Sequence, residues 1–457
     1  MGIYGALATA VSGLKAQSFA LEHVSGNIAN SQTIGFKRTE TTFADLVPDS
    51  PYYKQLAGGV QVFTRATNNV QGDIRAAEVP TFMGINGDGF FIVEKRADVA
   101  DGNPVFSGVD YFTRRGDFEF DRSGYLVNGS GYYLKAIRVD PQTGNLVGSL
   151  PEPVRITNDF LPASVTTEID LRANLAAYPL TTSADPDIPD SELINPADYA
   201  VDPTAGGAGV VQGGDVSTFL DQSISGGAIT VYDSAGSPVN IQFRWAKTDN
   251  TNGGGNDTWN LFYQVDSNAT GATTAWVNIG QDYVFNASGQ LTPDINSVTL
   301  SGVTVNGVTV GDITLNHGVN GVTQFADSNG NVQVTELKQN GYAAGELVGV
   351  SISESGRIVA SYTNGRTVDL YEVRLAAFNA ENRLQKLDGG AYAVTQDSGP
   401  PILGAQGTII GASVESSNTD IADEFTKLIV TQQAYAAGTR IVTTSNEMLQ
   451  EVLNMIR

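Results

Sequence analysis

The chain has 457 residues, enough to bury sizeable cores and to divide into two to four domains. Its 26 Lys and Arg face 49 Asp and Glu, for a net charge of −23, which argues against nucleic acid and against an anionic membrane surface. The absence of cysteine removes disulfides, thiolate metal sites and a cysteine nucleophile, and suits a chain that must stay unfoldable.

No run approaches about 18 apolar residues, so no membrane insertion is expected. The opening "MGIYGALATAVSGLKAQ" lacks the basic start of a cleaved signal peptide. Within it, Ile3, Leu7, Ala10, Leu14, Gln17, Leu21, Val24 and Ile28 keep a strict 4,3 spacing, the pattern of a coiled-coil seam. A helix over 1–30 follows. It runs into "NIANSQTIGFKR", Asn27 to Arg38, read as a joint. Gly35 allows the turn, Phe36 anchors on a β-domain, and Lys37 and Arg38 stay in water.

Residues 31–75 read as a polar connector. From 76 to 165 the aromatic runs "GFFIV", "DYFTRRGDFEFDRSGYLV" and "GYYLKAI" alternate with turns, as strands of a β-domain do. The stretch "SISESGRIVASYTNGRTVDLY" at 351–371 has the same texture, so 335–414 reads as the second part of that domain. Between them, 166–334 is an acidic insertion carrying −15 of the −23, with strand-like runs suited to a sandwich or barrel. The last segment, 415–457, carries a second 4,3 stripe: Ile421, Phe425, Leu428, Gln432, Tyr435, Thr439, Val442, Asn446, Leu449, Leu453 and Ile456. Ser417 and Asn418 are candidate caps, and Asp420, Asp423 and Glu424 suit the positive end of the helix dipole. Apolar stripes at both ends point to packing against sister copies.

The expected fold class is therefore mainly β with long terminal α-helices. These helices pair as a coiled coil around a split β-domain, which carries an inserted sandwich-like or barrel-like domain.

Reactive chemistry is sparse. His23 falls beside the helical stripe and His317 in a turn, with no nucleophile elbow to serve them. Asp327, Asn329 and Asn331 have calcium-loop spacing, but Val332 replaces the required Gly and Lys338 the closing Glu. Arg115-Gly116-Asp117 reads as a plain turn or strand end rather than an adhesion tripeptide. No catalytic, cofactor or metal site is expected, and the chain reads as a non-enzyme.

Residues 4–38 resemble the N-terminal signature of bacterial flagellar rod and hook proteins, with A-x-S-G-L followed by N-I-A-N-x-x-T-x-G-F-K. Its signature positions fall here on Asn27, Ala29, Asn30, Thr33, Gly35, Phe36 and Lys37. Residues 415–457 resemble the matching C-terminal helix, although Gln433 and Ala437-Gly438 depart from it. "GDGFFIV", "FTRRGDFEFDRSGYLVN" and "GYYL" lie in order between the two ends. The resemblance covers about 1–160 and 335–457, and the insertion shows no recognised motif.

Rod proteins of that family look like shorter versions, and a long insertion resembles the hook member. The resemblance implies a self-assembling subunit of a flexible tube that passes motor torque from rod to filament. Its inner-wall contacts would be Ile3, Leu7, Leu14, Leu21, Val24, Ile28, Ile421, Phe425, Leu428, Tyr435, Val442, Leu449, Leu453 and Ile456. It also implies export by the flagellar type III apparatus without a cleaved signal peptide, an extracellular place on the basal body, and contacts with the distal rod, hook cap and hook–filament junction proteins. A distal rod component or other axial basal-body protein is the alternative within the family. A surface adhesin or carbohydrate-acting β-protein is the alternative outside it.

Overall fold

The computed structural model describes residues 3–46, 58–141, 143–205, 209–327 and 329–455. It divides into two units, one made of 1–159 with 347–457 and the other of 160–346.

In the first unit the 4,3 spacing yields two helices, Ile3–Ala29 and Ile421–Met455. They run antiparallel: Asn27 meets Glu424 at one end, and Leu14 lies against Gly438 further along. The cap of the second helix is Asp420, whose Oδ1 accepts from the backbone N–H of Ala422 at 2.8 Å and of Asp423 at 3.3 Å. Asn418, read as a cap, is used elsewhere. Ile456 and Arg457 lie outside the described residues.

The segment read as a connector contains a β-hairpin. Thr39–Asp45 pairs with Val60–Ala66 from Thr39↔Ala66 to Asp45↔Val60, and the hairpin lies on the N-terminal helix. His23 meets Thr41 Oγ1 at 2.8 Å across that contact. Residues 47–57 of the connector lie outside the described residues.

The β part of this unit is built on a 13-stranded sheet. Its path runs through Leu347–Ile352, Arg357–Tyr362, Thr367–Glu372, Tyr132–Val139, Phe90–Ala100 and Asn103–Thr113. The join between Tyr371 and Arg138, and between Glu372 and Ile137, knits the late strands to the early ones. Phe91, Val93, Phe118, Leu134, Ile358, Tyr371 and Leu375 fill one core. Only Phe118 of the "DFEF" pair points inward, since Phe120 is exposed. The Arg115-Gly116-Asp117 stretch is locked. Arg115 pairs with its own Asp117 at 2.7 Å, and Gly116 O accepts from Met83 N–H at 2.9 Å.

The second unit has two five-stranded sheets. One carries Ile224–Tyr232, Pro238–Asp249, Asp257–Gln264, Thr274–Phe285 and Val210–Gln212. In the other, Ser297–Val305, Val308–Asn316, Glu168–Asn174 and Val322–Thr323 run in order, with Gln333–Gln339 also on Glu168–Asn174. The sheets share a core of Trp245, Trp259, Tyr283, Leu171, Ile313 and Leu315, a sandwich arrangement. The outer face of the first sheet is covered too: its Phe262 and Trp276 pack against Phe219 of the short helix Val216–Asp221. The unit starts and ends outside the 166–334 read from composition. Bridges Leu161↔Gly345 and Ser164↔Tyr342 close its neck.

His317 is fully buried in this unit, with one ring nitrogen 2.8 Å from Tyr283 OH and the other 2.8 Å from Leu171 O. Desolvation pushes its pKa below the ordinary value, against the bond to Leu171. The unfolded state therefore binds the proton more readily, so stability is lost as pH falls below about 6.5. Residues 160–346 expressed alone are expected to unfold cooperatively. All three tryptophans lie there, so their emission reports the transition. The urea midpoint should fall between pH 7 and 5, and His317→Gln should flatten that slope.

Candidate assembly surface

At the joint Gly35 sits at φ +67°, and a Cβ there would stand 2.7 Å from the backbone of Arg114 and Arg115. Its N–H donates to Glu415 O at 2.8 Å. The turn aims Lys37 inward. Its Nζ lies 2.5 Å from Glu415 Oε1 and 2.6 Å from Val70 O, with the side chain 1% exposed. Arg114 Nη1 lies 3.4 Å from the other Glu415 oxygen, and Gly72 N–H donates to Oε1 at 2.8 Å. Lys37 therefore does not stay in water. Desolvation lowers its pKa and the facing Glu415 carboxylate opposes that shift. Phe36 takes Lys386 over its ring at 3.9 Å from the centroid, and Lys386 donates to Lys37 O at 3.1 Å.

Asn418 stitches the same corner. Its Oδ1 accepts from Arg38 N–H at 2.7 Å and its Nδ2 donates to Val70 O at 3.1 Å. Asn27 bonds both backbone groups of Thr39 at 2.9 Å and donates to the buried Glu424 at 3.0 Å. Lys427 reaches Glu424 from the solvent side at 2.7 Å. Asn30 and Thr33 hold the turn through a 3.2 Å side-chain bond, while Ala29 is exposed.

The helix–helix seam differs from the one drawn by apolar spacing. On the N-terminal helix the buried residues are Ala16, Ala20, Val24 and Asn27, whereas Leu7, Leu14, Leu21 and Ile28 are half-buried. Ile3 opens the helix. On the C-terminal helix Glu424, Thr431 and Ser445 are buried, with Leu428, Gly438, Val442 and Leu449 half-buried beside them. Ile421, Phe425, Tyr435 and Leu453 are exposed, as are Val430, Ile441 and Met448. Small residues carry the intramolecular contact because they let the backbones approach. At Gly438 an added Cβ would be 3.0 Å from Leu14, which gives one departure from the resembled helix a packing reason.

Sequence reasoning named Lys37 but missed Glu415 and Arg114, and gave Asn418 and Glu424 helix-end roles only. A cation inside a motif of small and apolar residues was the available signal for a buried partner. Among the described residues no cluster of His, Cys, Asp or Glu is arranged to hold a metal.

Family profiles match the chain in order along its length. Residues 7–37 match "Flagella basal body rod protein" and 84–168 match "Flagellar hook protein FlgE/F/G D1 domain". Residues 221–342 match "Flagellar basal body protein FlaE D2 domain" and 411–455 "Flagellar basal body rod FlgEFG protein C-terminal". The flagellar hook protein FlgE of Brucella suis is 29% identical over 462 residues, covering both chains in full. That of Escherichia coli is 28% identical over 463 residues, covering 98% of this chain and 100% of its own. The chain belongs to the flagellar hook protein family. The insertion, in which no motif was recognised, belongs to the resemblance as well. A crystal structure of the Helicobacter pylori hook protein FlgE2 shares the fold. It has a TM-score of 0.51 and 16% identity, covering 75% of this chain and 100% of that one. This family member is a structural subunit of the bacterial flagellar hook, a homopolymer, and is not an enzyme. The distal-rod alternative is not favoured.

Replacing Glu415 by Gln leaves Lys37 and Arg114 buried without their countercharge, at an expected cost of about 3–5 kcal/mol. Urea unfolding followed by helical circular dichroism measures it. Adding Lys37→Met to that chain should recover part of the loss.

Proposed function

We propose that this subunit polymerises through its terminal helices, residues 1–30 and 415–457, into the inner wall of a flexible tube that carries torque from rod to filament. The observation that carries this reading is the row of large apolar side chains left uncovered on the C-terminal helix, Phe425 at 48% and Leu453 at 66% among them. Asn27 to Arg38 act as the joint, 31–75 as the connector it leads into, 76–165 with 335–414 as a middle shell, and 166–334 as the acidic outer surface. Charge of one sign keeps outer contacts weak and lets neighbouring subunits slide during bending. The subunit travels through the flagellar type III apparatus as an unfolded chain without a cleaved signal peptide. It meets the distal rod at one end, the hook cap during growth and the junction proteins at the other. The extracellular position follows from that route.

Deleting 160–346 tests the division of labour. The shortened chain is expected to form narrower tubes under the electron microscope, at concentrations where the full chain forms its own. A full chain that polymerises beside a shortened one that never does would refute the assignment. Gold label placed on the insertion should decorate the hook and not the rod in isolated basal bodies.

A further inference from the structure

The C-terminal helix carries two apolar flanks that differ in shape. Glu424, Thr431 and Ser445 mark the seam with the N-terminal helix. At about 100° per residue, Val430, Ile441 and Met448 fall roughly 80° to one side of it, and Ile421, Phe425, Tyr435 and Leu453 a similar angle to the other. Both sets are exposed. On the first side, Ala434, Ala437 and Ile441 face Ala10, Gly13 and Leu14 across a groove of about 540 Å³. The second side presents bulky side chains.

A subunit of an open polymer must offer one patch to a different patch of its neighbour, since a self-complementary patch closes as a dimer. The groove continues the Gly438–Leu14 packing already present within one copy, so an occupant there extends an existing apolar contact. We propose that Tyr435, on the bulky flank of one copy, seats in the small-residue groove at Ala437 of the next, a groove whose lining from Ala434 to Ile441 runs only about 10 Å along the helix. This rests on the terminal helices being the assembly surface, and it adds a direction: each helix pair has one giving and one receiving side. The 4,3 stripe at Ile421, Phe425, Tyr435 and Leu453 is then the giving side.

Two variants on the full-length chain test it. Ala437→Trp fills the groove and leaves the bulky flank intact. Tyr435→Ser removes the seated side chain and leaves the groove. Both alter exposed positions, and an unchanged helical melting curve checks folding; Ala437→Glu replaces the Trp variant where that curve shifts. Each variant alone is expected to form tubes at least tenfold more slowly than the parent and to remain monomeric by light scattering. An equimolar mixture of the two should give a 1:1 dimer that extends no further, because each supplies the one surface the other lacks. Parent-like tube growth by either variant overturns the proposal, and so does a mixture that stays monomeric, while both leave the hook assignment standing. A parent chain that forms no polymer at any concentration instead overturns the assembly reading underneath.

Discussion

A single carboxylate, that of Glu415, holds the two ends of this chain together. It receives Lys37 from the turn after the first helix, Arg114 from the β part and the backbone of Gly72, and is itself fully buried. Removing such a group from water is costly unless its lone pairs are met, and here three contacts from three separate segments meet them. The second helix begins only a few residues later, so the cluster also sets where that helix leaves the sheet. Asn418 and Asn27 add neutral bonds around it, and Asn27 reaches Glu424 on the helix proper. A directional charge cluster resists slipping in a way that a greasy contact of equal area does not.

The seam between the helices explains what remains outside. Gly438, Ala16, Ala20 and Ser445 bring the backbones close, and close approach leaves no room for the larger side chains of the same helices. These are displaced to the flanks. A helix pair that used its bulky residues inside would be a self-sufficient hairpin with a polar exterior. This one places small and polar groups inside and carries its large apolar groups exposed, which makes the pair incomplete by itself.

Spacing made the helices legible. A 4,3 repeat sustained over many turns has few other physical outcomes, and the structure has helices at 3–29 and 421–455. The same repeat could not say which apolar row is spent within the chain, because burial inside one copy and burial between copies demand the same residue types. The hairpin from Thr39 escaped notice for a related reason. Its strands, TETTFAD and VQVFTRA, mix Thr and Val with charged and polar residues, and only their β-branched character betrays them inside a polar run. Lys37 misled most. A lysine beside an arginine in a turn reads as solvated, and its partner lies 378 positions away, where no local pattern reaches.

The charge distribution then follows from the same division. Within 166–334 only Arg172, Arg244 and Lys247 oppose the acids, and Lys247 is buried against Asp257 at 2.9 Å. Little cationic surface is left there for a sister copy to grip. Around the joint the situation reverses: Lys37, Arg114 and Lys386 are each engaged by a carboxylate, a carbonyl or a ring. The molecule thus concentrates its specific, desolvated ion pairing where the chain ends meet and leaves unbalanced, screened charge on the insertion. Screened repulsion falls off within about 8–10 Å at physiological salt, so it can space neighbours without fixing them. Directional pairing at the joint and screened repulsion on the insertion are opposite uses of the same residue types, separated along one chain by where burial makes charge directional.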